Sequence, residues 1–160
     1  MKRFVLITVV LASIGCAGSL CSDESRTGSV EFLNSSGSPP NLPFSEAVRV
    51  GNTLYLSGRI GFVPETMGLA PGGIREETRQ TMENIERSIE AHGYSMGDIV
   101  KCTVMLADIS EWTTFNEVYK SFFKKPYPAR SVFGANGLAL GAQVEVECIA
   151  AAGGQGNKRR

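Results

Sequence analysis

Two glutamates, Glu145 and Glu147, alternate with valines in the run Val144-Glu145-Val146-Glu147-Cys148-Ile149. In an extended strand alternate residues share a face, and same-face neighbours lie about 6.6 Å apart. Two carboxylates at that spacing, drawn partly out of water, resist ionising together, which leaves one able to take up and return a proton. Upstream, Arg130 follows Pro128-Ala129. A guanidinium keeps its charge and grips a carboxylate through two parallel hydrogen bonds, which an ammonium does not copy. A fixed arginine beside paired carboxylates suits a site that binds a small acid and activates a water against it. The same residues read equally as ion pairs that fix an interface.

Ser57-Gly58 is the third feature. A glycine at a strand end lets backbone approach a ligand with no side chain in the way, although a plain strand-end turn has the same signature. Tyr55 and Ser57 share one face as polar candidates. Other chemistries lack their motifs: the chain has no GxSxG elbow, no phosphate-binding glycine loop and no HExxH. Its one histidine, His92, falls at a helix end, where the helix dipole accounts for it. Neither a histidine-dependent nucleophile nor a metal-ligand set is expected, and no cofactor.

The elements that must position these residues follow from periodicity. Residues 46–50 and 53–57 are strand runs joined by Gly51-Asn52, a two-residue joint that suits a tight hairpin. Residues 64–73 read as a loop. Residues 74–92 form a helix, with Ile74, Thr78, Met82, Ile85 and Ile89 on one face and Gly93 as its stop. Residues 99–107 alternate as a strand, placing Val100, Cys102, Val104 and Leu106 on one side. Ser110 caps a second helix to residue 123, whose apolar stripe is Trp112, Phe115, Tyr119 and Phe122. Pro126 and Pro128 end it. Residues 129–135 and 143–151 are the last two strands. The order β-β-α-β-α-β-β gives an α+β fold, a sheet with two helices on one face.

The other face carries Ile99, Met105 and Ile149 among Lys101, Thr103, Glu145 and Glu147. Two helices cover one side only. A part-apolar face with no cover in the chain predicts association with further copies in a closed ring of two or three.

At 160 residues the chain holds one domain. Lys2 and Arg3, an apolar run at 4–11 and small residues after it read as a signal peptide over residues 1–17, so the protein is expected to be exported, periplasmic or secreted. Cleavage after Ala17 fits; a cut before Cys16 would leave a lipid anchor there instead. Residues 18–43, rich in Ser, Gly, Pro and Asn, read as a flexible tether, with a short strand possible at 30–33. The folded domain spans 44–152, and 153–160 is a solvated tail. Lys+Arg and Asp+Glu both number 16, so without Lys2 and Arg3 the body carries a charge of about −2. A near-neutral body with no basic stripe argues against a nucleic-acid partner. Cys102 and Cys148 sit in strand patterns. Buried free thiols are the simpler reading; an oxidising compartment allows a bridge if their strands pair.

Several blocks, in order, resemble the RidA (YjgF) family of reactive intermediate deaminases. They are FSEAVRVGNTLYLSGRI, TRQTMENIERSIEAHG, DIVKCTVMLADISEWTTFNEVYKSFF, PARS and VEVECIA, together covering nearly all of residues 44–150. The resemblance implies a chorismate-mutase-like mixed sheet and a homotrimer with clefts between subunits. It implies hydrolysis of 2-imino acids, or their enamine tautomers, to 2-keto acids and ammonia without metal or cofactor. It also implies that Arg130 holds the substrate carboxylate, Glu145 handles the water, and Gly58 lines the cleft through its backbone; Asn116 matches a family asparagine and is taken as structural. The pattern departs at Phe44, where the family often has tyrosine, at Arg59, where glutamine is usual, at Gly61, where proline is usual, and at Val132, often cysteine. Phe44, Arg59 and Val132 are therefore cleft-wall candidates. Arg59 is expected either to hold a second acidic group on the substrate or to pair with Glu145. A silent site on the same fold would make a carboxylate-binding trimer; a ribonuclease role, also attached to the family, is opposed by the charge.

Overall fold

The computed structural model describes residues 29–35 and 41–152. The segment read as a signal peptide, Cys16 and the tail from 153 lie outside those residues. Strands β1 (Val30–Leu33), β2 (Ala47–Val50), β3 (Thr53–Leu56), β4 (Arg59–Ile60), β7 (Ile99–Leu106), β8 (Ala129–Gly134) and β9 (Val144–Ala151) form one mixed sheet. Its order is β1-β2-β3-β9-β7-β8, with β4 also on β9. Helices α1 (Ile74–Ala91) and α2 (Trp112–Tyr119) pack on one side. This is the α+β arrangement expected from the alternation of periods.

The hairpin forms where Gly51-Asn52 places it, with Gly51 at φ 56° and Val50 opposite Thr53. Helix α1 buries Ile74, Met82, Ile85 and Ile89, with Thr78 and Thr81 on the same face. It ends at Gly93, φ 84°, where the Tyr94 N–H donates to Ile89 O at 2.9 Å. Under it lie Leu54, Leu56, Cys102, Val104, Leu106, Val144, Val146 and Cys148. Full burial of each aliphatic side chain contributes about 1.5–3 kcal/mol. The buried Glu77 on α1 accepts the Gln143 N–H at 2.7 Å, which ties the helix to the start of β9. Strand β8 runs parallel to β7, so the connection between them must cross the sheet, and α2 makes that crossing.

Five details differ from, or add to, what periodicity gives. Two steps from Ile99 to Lys101 oppose one from Ala150 to Ile149 on β9. This bulge turns Ile99 into the core and leaves Val100 43% exposed, reversing the expected sides of both. The second helix is broken: 3-10 turns at Ile109–Glu111 and Lys120–Phe122 flank α2. Asp108 rather than Ser110 supplies the cap, its carboxylate accepting the Ser110 N–H at 2.9 Å, and Trp112 stays 46% exposed. Within the expected loop, Gly68–Leu69 (β6) pairs with Phe62–Val63 (β5) as a small ribbon. The possible strand in the tether forms as β1, held by Asn34 Oδ1 accepting the Glu46 N–H at 2.9 Å and by Arg49 with Glu31 at 3.1 Å. Finally, Cys102 and Cys148 are direct cross-strand partners with Cα atoms 4.1 Å apart, and they are joined as a disulfide. That corrects the reading of two free thiols.

Candidate active site

Strand β9 carries both glutamates on the face away from the helices. Glu145 stands opposite Met105 on β7 and Ile60 on β4, and Glu147 stands opposite Thr103. Their neighbours Val144, Val146 and Cys148 are buried beneath the helices. Glu147 is exposed at the rim of a shallow depression whose walls include Tyr55, Lys101, Thr103 and Ile149. Glu145 is half-buried, and its carboxylate lies in the space where Gly58 has no side chain. A Cβ built on Gly58 would fall 2.0 Å from Glu145 Oε1 and 2.9 Å from its Cδ. Only glycine fits there with the carboxylate in this place.

The chain kinks at the same point. Four steps from Tyr55 to Arg59 run against three from Ile149 to Val146. That is a second bulge, at residues 56–58 beside Glu145. Counting by twos from Tyr55 puts Arg59 on the open face with Glu145. The extra residue reverses the count, so Arg59 shares the helix-side face with Val146. Its guanidinium lies 2.6 Å from Glu46 Oε1 and 2.8 Å from Ser88 Oγ. Arg59 therefore does not pair with Glu145, and its charge is already taken by a buried carboxylate rather than held free for a substrate.

Arg130 leaves the other face as well. It stands beside Cys102 across the parallel β7–β8 pair, and Cys102 is fully buried under the helices. The guanidinium carbon sits 4.7 Å from the centre of the Tyr119 ring and 5.6 Å from that of Phe115. Two aromatic faces hold the cation and fix its direction. Burial pushes the Tyr119 phenol up to about 12, with Arg130 opposing the shift. Among the described residues the Tyr119 hydroxyl has no hydrogen-bond partner. Val132 follows on the same face, opposite Val104 and packed on the core. Phe44, 53% exposed, precedes β2.

One chain thus brings Glu145 to Gly58, and Arg130 to Phe115, Tyr119 and Val132, as two groups on opposite faces of one sheet. The sequence reading missed Glu46 and Ser88, which look like a strand start and a helix position. Ser88 carries one signal, its helical spacing three residues after the buried Ile85, and Glu46 carries none, since its strand parity is that of Val48 on the open face. Tyr119 was legible only as core.

Residues 36–152 match the family model described as Endoribonuclease L-PSP. The 2-iminobutanoate/2-iminopropanoate deaminase of Bos taurus is 42% identical over 111 residues, which is 69% of this chain and 81% of that protein. Among solved structures, RidA from a Psychrobacter species is 38% identical with a TM-score of 0.66, covering 78% of this chain and 98% of that one. TdcF of E. coli with bound serine is 32% identical with a TM-score of 0.69, covering 76% and 98%. With its sheet, its helices and its match over residues 36–152, the chain belongs to the Endoribonuclease L-PSP family, which includes the RidA-type imine deaminases.

Proposed function

We propose that this protein is an exported hydrolase that converts 2-imino acids, or their enamine tautomers, to 2-keto acids and ammonia, working as a homotrimer with its sites between subunits. The observation that carries this reading is the division of the two functional groups. Arg130 and Glu145 lie on opposite faces of one sheet, each braced by its own surroundings. The carboxylate and the imine carbon of an imino acid are adjacent atoms, so both groups must reach neighbouring points. Two copies, one presenting its Arg130 side and the next its Glu145 side, meet that need, and the association also covers the part-apolar open face.

Arg130 takes the substrate carboxylate through its two parallel N–H donors, its plane set by Tyr119 and Phe115. This orients the C=N carbon towards Glu145. Glu145 accepts a proton from a water as its oxygen attacks that carbon. The proton passes to nitrogen to give a carbinolamine, its hydroxyl proton then passes through Glu145 to the amino group, and the C–N bond breaks so that ammonia leaves as the ketone forms. General acid–base help of this kind is worth about 10²–10⁴-fold. The curated relatives' deaminase names and the serine held by TdcF, an amino acid with the same carboxylate next to nitrogen-bearing carbon, support this substrate class. Export rests on the sequence of residues 1–17, and the Cys102–Cys148 disulfide suits an oxidising compartment.

The test generates imino acids in place with an amino-acid oxidase while semicarbazide competes for them. The purified protein should lower the yield of trapped imine, and Arg130→Ala should not. No loss of trapped imine across small, aromatic and acidic substrates would replace the enzyme with a carboxylate-binding trimer of the same fold.

A further inference from the structure

We propose that Arg59 is a positioning residue: its ion pair with the buried Glu46 holds the Gly58 turn against Glu145 and so sets where the glutamate carboxylate stands. The inference rests on Glu145 acting on the substrate's water, as argued above.

The Gly58 backbone is the wall that the Glu145 carboxylate touches. Nothing in its own residue type keeps that wall in place, because glycine has no side chain to anchor it. The anchors are its two neighbours. Before it, the Ser57 N–H donates to Glu46 O at 3.1 Å and the Ser57 hydroxyl donates to Ser45 O at 2.7 Å. After it, Arg59 reaches Glu46 Oε1 at 2.6 Å and Ser88 Oγ at 2.8 Å, and the Ser88 hydroxyl donates to the same carboxylate oxygen. Glu46 Oε2 accepts the Ser35 N–H at 2.7 Å, and His92 Nε2 lies 4.0 Å from Oε1. Anchors on both sides of Gly58 thus reach Ser45-Glu46, beside the pairing of β4 with β9, and Arg59 brings a full charge into direct contact with the Glu46 carboxylate.

The charge matters because Glu46 is 5% exposed. A carboxylate so buried must keep a cation or shift its surroundings to find water. Without Arg59, the Ser57 hydrogen bonds still hold the entry to Gly58, and the bulge between β3 and β4 is where the backbone can yield. A displacement of the wall moves the Glu145 carboxylate with it. A misplacement of about 1 Å at a reacting group costs about 100-fold in rate.

The experiment compares Arg59→Gln, Glu46→Gln and the double variant Glu46→Gln/Arg59→Gln with wild type. Both kinetic constants for an imino acid are measured, and crystal structures are solved for each. Arg59→Gln is expected to lower kcat by about 10–100-fold, with KM held within about 2-fold because Arg130 is intact. The double variant, whose neutral amides need no counter-charge, should recover most of kcat. A KM rise that the double variant does not recover would mean that Arg59 touches substrate, and overturns the proposal. So does an Arg59→Gln structure with Glu145 and Gly58 within about 0.5 Å of their wild-type places. If Arg59→Gln fails to fold, the double variant decides alone: near-wild-type kcat and geometry support the proposal, and a loss of kcat with the geometry intact overturns it. The structural readout stands even if wild type proves inactive, in which case it is the enzymatic reading that falls.

Discussion

Mixing two dead variants should restore activity. Arg130→Ala removes the carboxylate grip, and Glu145→Gln removes the proton acceptor while keeping the side chain's shape. Each alone should fall by about 100-fold or more. In the structure the two groups leave opposite faces of the sheet: Arg130 is next to the buried Cys102, and Glu145 is against Gly58. If each site takes its arginine from one copy and its glutamate from the next, a random equal mixture gives each half intact in half the cases. About one quarter of sites are then whole, whether the ring has two members or three. The two variants are co-expressed with different tags, and material carrying both tags is assayed by competition with semicarbazide. Selecting mixed rings raises the recovery above the random value. Activity that stays at the level of the single variants would show both residues serving a site within one chain, and the reading of divided half-sites would be wrong.

Gly58→Ala puts a methyl group where Glu145 Oε1 now sits, at 2.0 Å. Because the displaced atoms are the end of a flexible side chain, kcat should fall by about 100-fold while the thermal midpoint changes little; an unchanged kcat would dissociate Glu145's place from the reaction. Tyr119 titrates near 12 when folded against about 10 unfolded, so the native state keeps a proton that the unfolded state loses. Its contribution is full below pH 10 and declines as pH rises towards 12; urea melts across that range should show a shallower decline for Tyr119→Phe, and parallel slopes would refute the assignment. The disulfide closes a separation of 46 residues, for which chain-entropy reasoning gives a stabilisation of about 4 kcal/mol. Denaturation with and without reductant measures it, and a difference under about 0.5 kcal/mol would place the pair's role elsewhere.

Much of this fold is legible because its long elements obey one period throughout. Helix α1 shows its buried stripe in Ile74, Met82, Ile85 and Ile89, and β9 shows its alternation in Val144, Val146 and Cys148. The hairpin is legible because Gly51 needs a positive φ that few residues accept. Arg130 and Glu145 stand out by residue type, but not the fact that they face apart: β8 pairs in parallel with β7, and no local pattern gives that register. The two bulges are equally silent. No side chain near Val100 or Leu56 announces an extra residue, yet each bulge reverses every inward and outward assignment beyond it. The disulfide follows from register too, since two cysteines bond only if pairing sets them opposite one another on one face.

The bulge at residues 56–58 makes the count of residues, rather than their chemistry, decide what surrounds Glu145. Without the bulge, pairing in step from Tyr55 would set Arg59 opposite Glu145 and turn it to the open face, with Ile60 inward in its place. A carboxylate now walled by bare backbone would then meet a permanent cation. Deleting one residue of the connection would instead straighten the strand and keep Arg59 opposite Val146. A slip of one residue in this short connection is thus a discrete change in the electrostatics of the site, and substitution at any one position does not reproduce it.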